Sequence, residues 1–146
     1  MTTKNYSLDD VTCIVGSFPI NEYSSGDGVS ISWSEDDFVV VQGSHGSVIR
    51  AKKHNNVAEA TVRIIQGSPV SDYLSERAIL DRTTRLGSFA FLIKDNFGAT
   101  LVTAPQAWIK KPPDIKFSEE PQEIEWVIVL SNPVWYVGAN LPAPSF

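Results

Sequence analysis

The segment VAEATVRII, Val57 to Ile65, alternates from Ala58 to Ile64. Ala58, Ala60, Val62 and Ile64 fall on one side, and Glu59, Thr61 and Arg63 on the other. A period of two over this length is a strand with one buried face, and it excludes an amphipathic helix. The same period recurs. GVSISWS sets Val29, Ile31 and Trp33 against serines, and QEIEWVIVLS places Ile124, Trp126, Ile128 and Leu130 on one side. VTCIVGSF and DFVVVQG read as further strands. SFAFLIKD and GATLVTA flank Asp95-Asn96-Phe97-Gly98, a tight-turn signal, and should form a hairpin. QAWIKK reads as a further short strand that stops at Pro112-Pro113, because each proline removes a ladder donor. On this reading Trp33 and Trp126 belong to the core. The chain of 146 residues is mainly β: an antiparallel sandwich or partial barrel in one domain spanning 1–146, long enough to bury a core.

One stretch departs from this pattern. In GSPVSDYLSERAILDRTTR, Ser68 can cap a helix and Pro69 suits its first position. Asp72 and Glu76 lie early and Arg82 and Arg85 late, as the helix dipole favours. The spacing predicts a helix over 69–84, stopped by Gly87. Val70, Tyr73, Leu74, Ala78 and Leu80 make a broad stripe that Arg77 and Asp81 interrupt, while Ile79 falls outside it. Such a helix suits contact with something on a second side. Residues 43–56, GSHGSVIRAKKHNN, read as a long inter-strand loop or flexible hairpin. An N-terminal arm over 1–10 and a C-terminal arm over 131–146, with three prolines, complete the chain.

The polar clusters do not assemble into chemistry. His45 and His54 share the 43–56 stretch with only one distant Cys13, and zinc needs about four ligands. Cys13 lies among β-formers and reads as a buried thiol. GSHGS has His45 where a nucleophile elbow needs serine. Glu35, Asp36 and Asp37 lack the spacing of a calcium loop and read as a solvated turn. Glu123 and Glu125 lie on the outer face of a strand that buries Trp126, where nothing raises a carboxyl pKa. No catalytic residue, metal or cofactor is expected. A formal net charge of -5 argues against holding DNA by phosphate neutralisation. No run approaches a membrane span and no signal peptide opens the chain, so synthesis in a reducing cytoplasm is expected. Trp108 and Trp135 leave a second class open: a sandwich that binds sugar or peptide through exposed aromatics.

YSLDDV from Tyr6, the run GDGVSISWSEDDFVVVQGSHGSVIRAKKHNNVAEATVRIIQGSPV from Gly26 to Val70, and WIKKPPDIKFSEEPQEIEWVI stand in one order. Together they resemble the tail tube proteins of contractile-tailed bacteriophages, related in fold to the tubes of pyocins and type VI secretion. The acidic EEPQ and the extension from Ser131 to Phe146 depart from that pattern. The resemblance implies a structural virion protein, assembled in the bacterial host cytoplasm. Six copies would form a ring, and rings would stack helically into a hollow tube. A sheath protein would lie outside, tape-measure protein and then DNA in the lumen, and baseplate and terminator proteins at the two ends. No catalysis is implied. A tube of a related injection machine is the nearest variant of this reading.

Physics points the same way. Exposed sheet edges are a liability in a monomer, and ring closure removes them. The expected contacts between subunits or rings pair the basic stretch of His45, Arg50, Lys52, Lys53 and His54 with Glu35, Asp36, Asp37, Glu119 and Glu120. Lys110, Lys111, Asp114 and Trp135 are expected on the same kind of surface. A lumen should not grip phosphates, and the polar faces around Ser30 to Asp37 and Glu59 to Arg63 are its candidate lining.

Overall fold

The computed structural model describes residues 11–20, 28–34, 36–53, 56–96 and 98–138. The expected arm over 1–10, and Glu35, His54 and the chain beyond Gly138, lie outside these. Ten strands and one helix follow in order: β1 Val11–Val15, β2 Phe18–Pro19, β3 Val29–Trp33, β4 Phe38–Gln42, β5 Val48–Lys52, β6 Val57–Ile65, α1 Pro69–Thr84, β7 Phe89–Asp95, β8 Leu101–Ile109, β9 Glu123–Ser131 and β10 Val134–Tyr136. Eight strands form one antiparallel sheet in the order β2-β1-β7-β8-β9-β6-β3, with β10 also on β8; β4 and β5 form a separate two-stranded ribbon. The fold is therefore mainly β with one helix, as the alternation predicts. Among the described residues the sheet does not close into a barrel, and β2 and β3 are the ends of its strand order.

The core lies on one face of the sheet. Ala58, Ala60, Val62 and Ile64 of β6 are fully buried there, beside Trp126, Ile128 and Leu130 of β9. α1 crosses this face, burying Val70 and Leu74. The Trp126 indole donates to the Ser71 hydroxyl at 3.4 Å, which satisfies its N–H inside the core. Cys13 is buried as expected. The helix starts as the sequence predicts, with the Ser68 hydroxyl accepting from the Val70 N–H. It stops differently. Arg85 adopts a left-handed backbone (φ 62°) and its N–H donates to the Asp81 carbonyl at 2.9 Å. Gly87 acts by size instead: a Cβ there would strike the Arg77 carbonyl and Asp81, so glycine lets the chain leave the helix closely packed against it.

Four further expectations need correction. Of the two readings of 43–56, the long loop fails and the hairpin holds: Val48–Lys52 pairs with β4 from Gln42↔Val48 to Phe38↔Lys52, and the tip is a turn. The arm after Ser131 begins with a strand: β10 continues along β8 in the register of β9, Thr103↔Val134 following Gln106↔Ser131, past a break at Asn132-Pro133. The separate strands expected at GATLVTA and QAWIKK are one strand, β8. Its pairing with β7 shifts from Phe91↔Ala104 to Phe89↔Ala107, which marks a bulge at Pro105-Gln106. Proline has no ladder donor, and a bulge accommodates it. The bulge also changes the phase of the strand, so Val102 and Ala104 before it and Ala107 and Ile109 after it all face the core. Finally, Trp33 is on the core-facing side of β3, as its alternation requires, yet it is 42% exposed. It lies at the rim where β3 and β6 run out, against Trp135 with ring centroids 5.6 Å apart.

Candidate assembly surface

The strands give the sheet two ends. Along β3, β6 and β9, Trp33, Val57 and Ser131 stand at one and Val29, Ile65 and Glu123 at the other; the stagger of the sheet sets Phe89 and Ala107 level with Trp33, and Ile109 level with Ala60. The β4–β5 ribbon leaves the first end. Its root is pinned by the Lys53 N–H donating to the Asp37 carbonyl at 2.9 Å, and Asn132 N–H donates to the Asn56 carbonyl at 2.9 Å beside it. Beyond the root, every residue of both strands is exposed.

This exposure is costly because of what the ribbon carries. Directly paired residues on antiparallel strands share a face. One face holds Phe38, Val40, Gln42, Val48, Arg50 and Lys52, with the Arg50 guanidinium 4.4 Å from the Phe38 ring centroid. The other face holds only Val39, Val41, Ile49 and Ala51. Val41 is 55% and Ile49 63% exposed. An isolated two-stranded ribbon is marginal in water, and an aliphatic face without a cover adds to that. The sequence contains the signal: FVVVQ has apolar residues on both faces, which a strand solvated on one side would not.

The expected contact residues separate into two groups. His45 sits at the ribbon tip, and Arg50, Lys52 and Lys53 run along β5 to the root, where Asp36 and Asp37 also lie. Basic and acidic clusters thus meet within one chain. Lys110, Lys111, Asp114, Glu119 and Glu120 lie in the segment that joins β8 to β9, all exposed. The Lys110 ammonium already pairs with Glu59 at 2.9 Å, and Ser118 donates to the Glu120 carbonyl at 2.8 Å. Trp135 stands with Trp33 on the core-face rim, while Trp108 is half-buried on the outer face, six residues further along β8 than Val102, the partner of Trp135. That separation is about 20 Å. The two tryptophans do not form one aromatic platform.

The outer face of β3, β6, β9 and β8 combines two ion pairs with the half-buried side chains of Val127, Val129 and Trp108. Arg63 pairs with Glu125 at 3.1 Å, and Lys110 reaches diagonally over β9 to Glu59. Ser30, Ser32 and Thr61 fill the gaps. A groove of about 420 Å³ lies between α1 and the chain after β8, lined by Trp126, Ile109, Ala78, Ile79, Pro113 and Ile115 together with Asp81, Arg82 and Lys110. Among the described residues, no three His, Cys, Asp or Glu side chains come together to hold a metal.

A family described as Bacteriophage PhiTE tail tube protein matches residues 3–133. The chain belongs to this phage tail tube family. It is a structural protein of the phage tail, and the resemblance carried by the three sequence stretches above is correct. A structural protein of Pseudomonas phage KPP10, ORF10, is 30% identical over 94% of this chain and 84% of its own length. Among solved structures, the sheath/tube terminator of the extracellular contractile injection system PVC has a TM-score of 0.58 at 12% identity, covering 94% of this chain and 100% of that one. The tube-terminating cap of the anti-feeding prophage has a TM-score of 0.59 at 9% identity, with 93% of each chain covered. The PVC sheath–tube complex follows at 0.56 and 13% identity, over 90% and 91%. At these identities the likeness is one of fold.

Proposed function

We propose that six copies of this chain close into a ring, and that rings stack helically into the inner tube of a contractile tail. The observation that carries this reading is the β4–β5 ribbon, whose aliphatic face is exposed among the described residues. A subunit built this way is completed by its neighbours. The sheet edges β2 and β3 support the same conclusion, because strand addition around a closed ring pairs edges that a monomer leaves open. The role is architectural, and no catalytic step belongs to it.

The ion-paired face of β3, β6, β9 and β8 suits the lumen. Glu59 and Glu125 hold Lys110 and Arg63, so phosphates passing along that wall find cations already engaged. DNA then slides, since sequence-independent grip depends on free cations. In this reading tape-measure protein fills the channel before DNA does, the sheath surrounds the tube, and baseplate and terminator proteins meet its ends. Assembly takes place in the bacterial cytoplasm. The described residues of the expected contacts fall into two sets: His45, Arg50, Lys52, Lys53, Asp36 and Asp37 on the ribbon and its root, with Trp135 beside Trp33; and Lys110, Lys111, Asp114, Glu119 and Glu120 at the end of β8 and in the chain that follows it. Negative-stain microscopy of purified chain tests the proposal. Rings or tubes ~100 Å wide are expected, from six domains of ~25–30 Å around a channel. A chain that stays monomeric at high concentration overturns it.

A further inference from the structure

We infer that the segment from Asn132 to Tyr136 is a strap that fixes the direction in which the β4–β5 ribbon leaves the sheet, and that docking of β10 on β8 thereby controls assembly. The second half of this inference rests on the tube reading above; the first does not. Among the described residues, β4 and β5 pair with each other and with no other strand, so the direction of the ribbon is decided at its root. Both sides of the root are tied to this one segment. On the entering side, Trp33 ends β3 and packs on Trp135, with ring centroids 5.6 Å apart and planes at 53°. On the leaving side, the Asn132 N–H donates to the Asn56 carbonyl at 2.9 Å. The Asn56 side-chain amide donates in turn to the Pro133 carbonyl at 3.5 Å.

The strap is anchored at its ends and light in the middle. Pro133 is buried, and Asn132 takes a left-handed backbone (φ 49°), which asparagine adopts more readily than most residues. That turn carries the chain past the end of β9 while β10 stays in register along β8. At the other end, the Gly138 N–H donates to the Thr100 hydroxyl at 3.2 Å, and that hydroxyl donates to the Gly138 carbonyl at 3.3 Å. A Cβ on Gly138 would strike Ala99, so glycine permits this close fastening. Between the anchors β10 makes three ladder pairs, Val134↔Thr103 to Tyr136↔Leu101, and all three of its residues are exposed. Such a strand adds little to the core and opens more easily than the rest of the sheet. Its Trp135 meets the residue from which the ribbon departs. This accounts for two large aromatic side chains facing each other at the rim, 42% and 51% exposed.

Nitroxide labels at Ser47→Cys, beside the ribbon tip, and Glu76→Cys, on α1, report the direction of the ribbon. Both positions are exposed, and the native Cys13 is buried and takes no label. Pulsed dipolar spectroscopy of the subunit, below its assembly threshold, should give a narrow distance distribution. Trp135→Ala should broaden it, and Trp135→Phe, which keeps a ring against Trp33, should restore it. Tyr136→Pro breaks the β10 ladder while both indoles remain, and should broaden it likewise. The concentration at which Trp135→Ala assembles, read by sedimentation, should rise roughly 2- to 12-fold, the range that an aromatic pair contributes. Distributions as narrow in Trp135→Ala and Tyr136→Pro as in the parent overturn the strap. Broadening with an unchanged threshold overturns its control of assembly. Either result leaves the tube reading standing. Absence of rings and tubes from the unsubstituted chain overturns the tube reading and the control of assembly together, while the distance distributions still decide the strap.

Discussion

Val41→Asp with Ile49→Asp separates subunit stability from assembly. Both side chains lie on the aliphatic ribbon face and are 55% and 63% exposed in the subunit. Exposed substitutions usually move stability by no more than ~0.5 kcal/mol. Asp also disfavours strands, by a fraction of the ~1 kcal/mol span of β-propensity, but that penalty acts on the ribbon and not on the core. Assembly is affected differently. Fully burying a valine or isoleucine is worth ~1.5–3 kcal/mol, and over half of that area is still available here. Covering both side chains contributes about 2–3 kcal/mol to each contact, and seating carboxylates without partners costs more. Each contact should weaken by at least ~30- to 150-fold, at 1.4 kcal/mol per tenfold. Sedimentation should show loss of large assemblies at concentrations where the unsubstituted chain forms them, while the thermal melt of the subunit, followed by circular dichroism, stays put. Val41→Thr with Ile49→Thr keeps the β-branch and should give an intermediate loss. A double-Asp chain that assembles normally refutes the reasoning. So does a subunit melt that falls together with assembly, since the ribbon would then belong to its own core.

The helix offers a matched pair. Leu74→Ala should destabilise the subunit by ~2–5 kcal/mol in urea denaturation, because Leu74 is fully buried, whereas Ile79→Ala should stay within ~0.5 kcal/mol of the parent. Gly87→Ala should cost ~1–3 kcal/mol, since its Cβ meets the backbone of Arg77 and Asp81, which cannot rotate away; an unchanged melt would show that the helix shifts freely. Glu59→Lys with Glu125→Lys frees Lys110 and Arg63 on the outer face. Tubes of that variant should retain DNA at low salt and release it as salt rises, and tubes that ignore DNA would remove this face from the lumen.

What the sequence made legible was local. The alternation of Val57–Ile65 and Glu123–Ser131 identified the buried faces residue by residue, and Ser68-Pro69 marked the helix start. β5 was hidden because Gly43, Gly46 and three cations look like a loop, and its partner strand is not itself covered by anything. β10 was hidden by Asn132-Pro133, which breaks the chain although the register continues. The face of Trp33 followed from its period, but its exposure depends on where β6 ends, which no local pattern states. The groove was out of reach: its walls come from α1, the end of β8 and Trp126, and only the fold brings them together.

The bulge at Pro105-Gln106 connects these features. Without it, strict alternation from Val102 and Ala104 would turn Trp108 and Lys110 to the core and Ala107 and Ile109 outward. Lys110 would then be buried uncompensated, Glu59 would lose its partner, and Ile109 would leave the groove floor. One extra residue therefore does two things. It keeps Lys110 on the outer face, where Glu59 pairs with it, and it keeps Ile109 on the core face with Trp126. A subunit with a perfectly regular β8 would turn an ammonium toward the core beside Trp126 and leave Glu59 unpaired on the outer face.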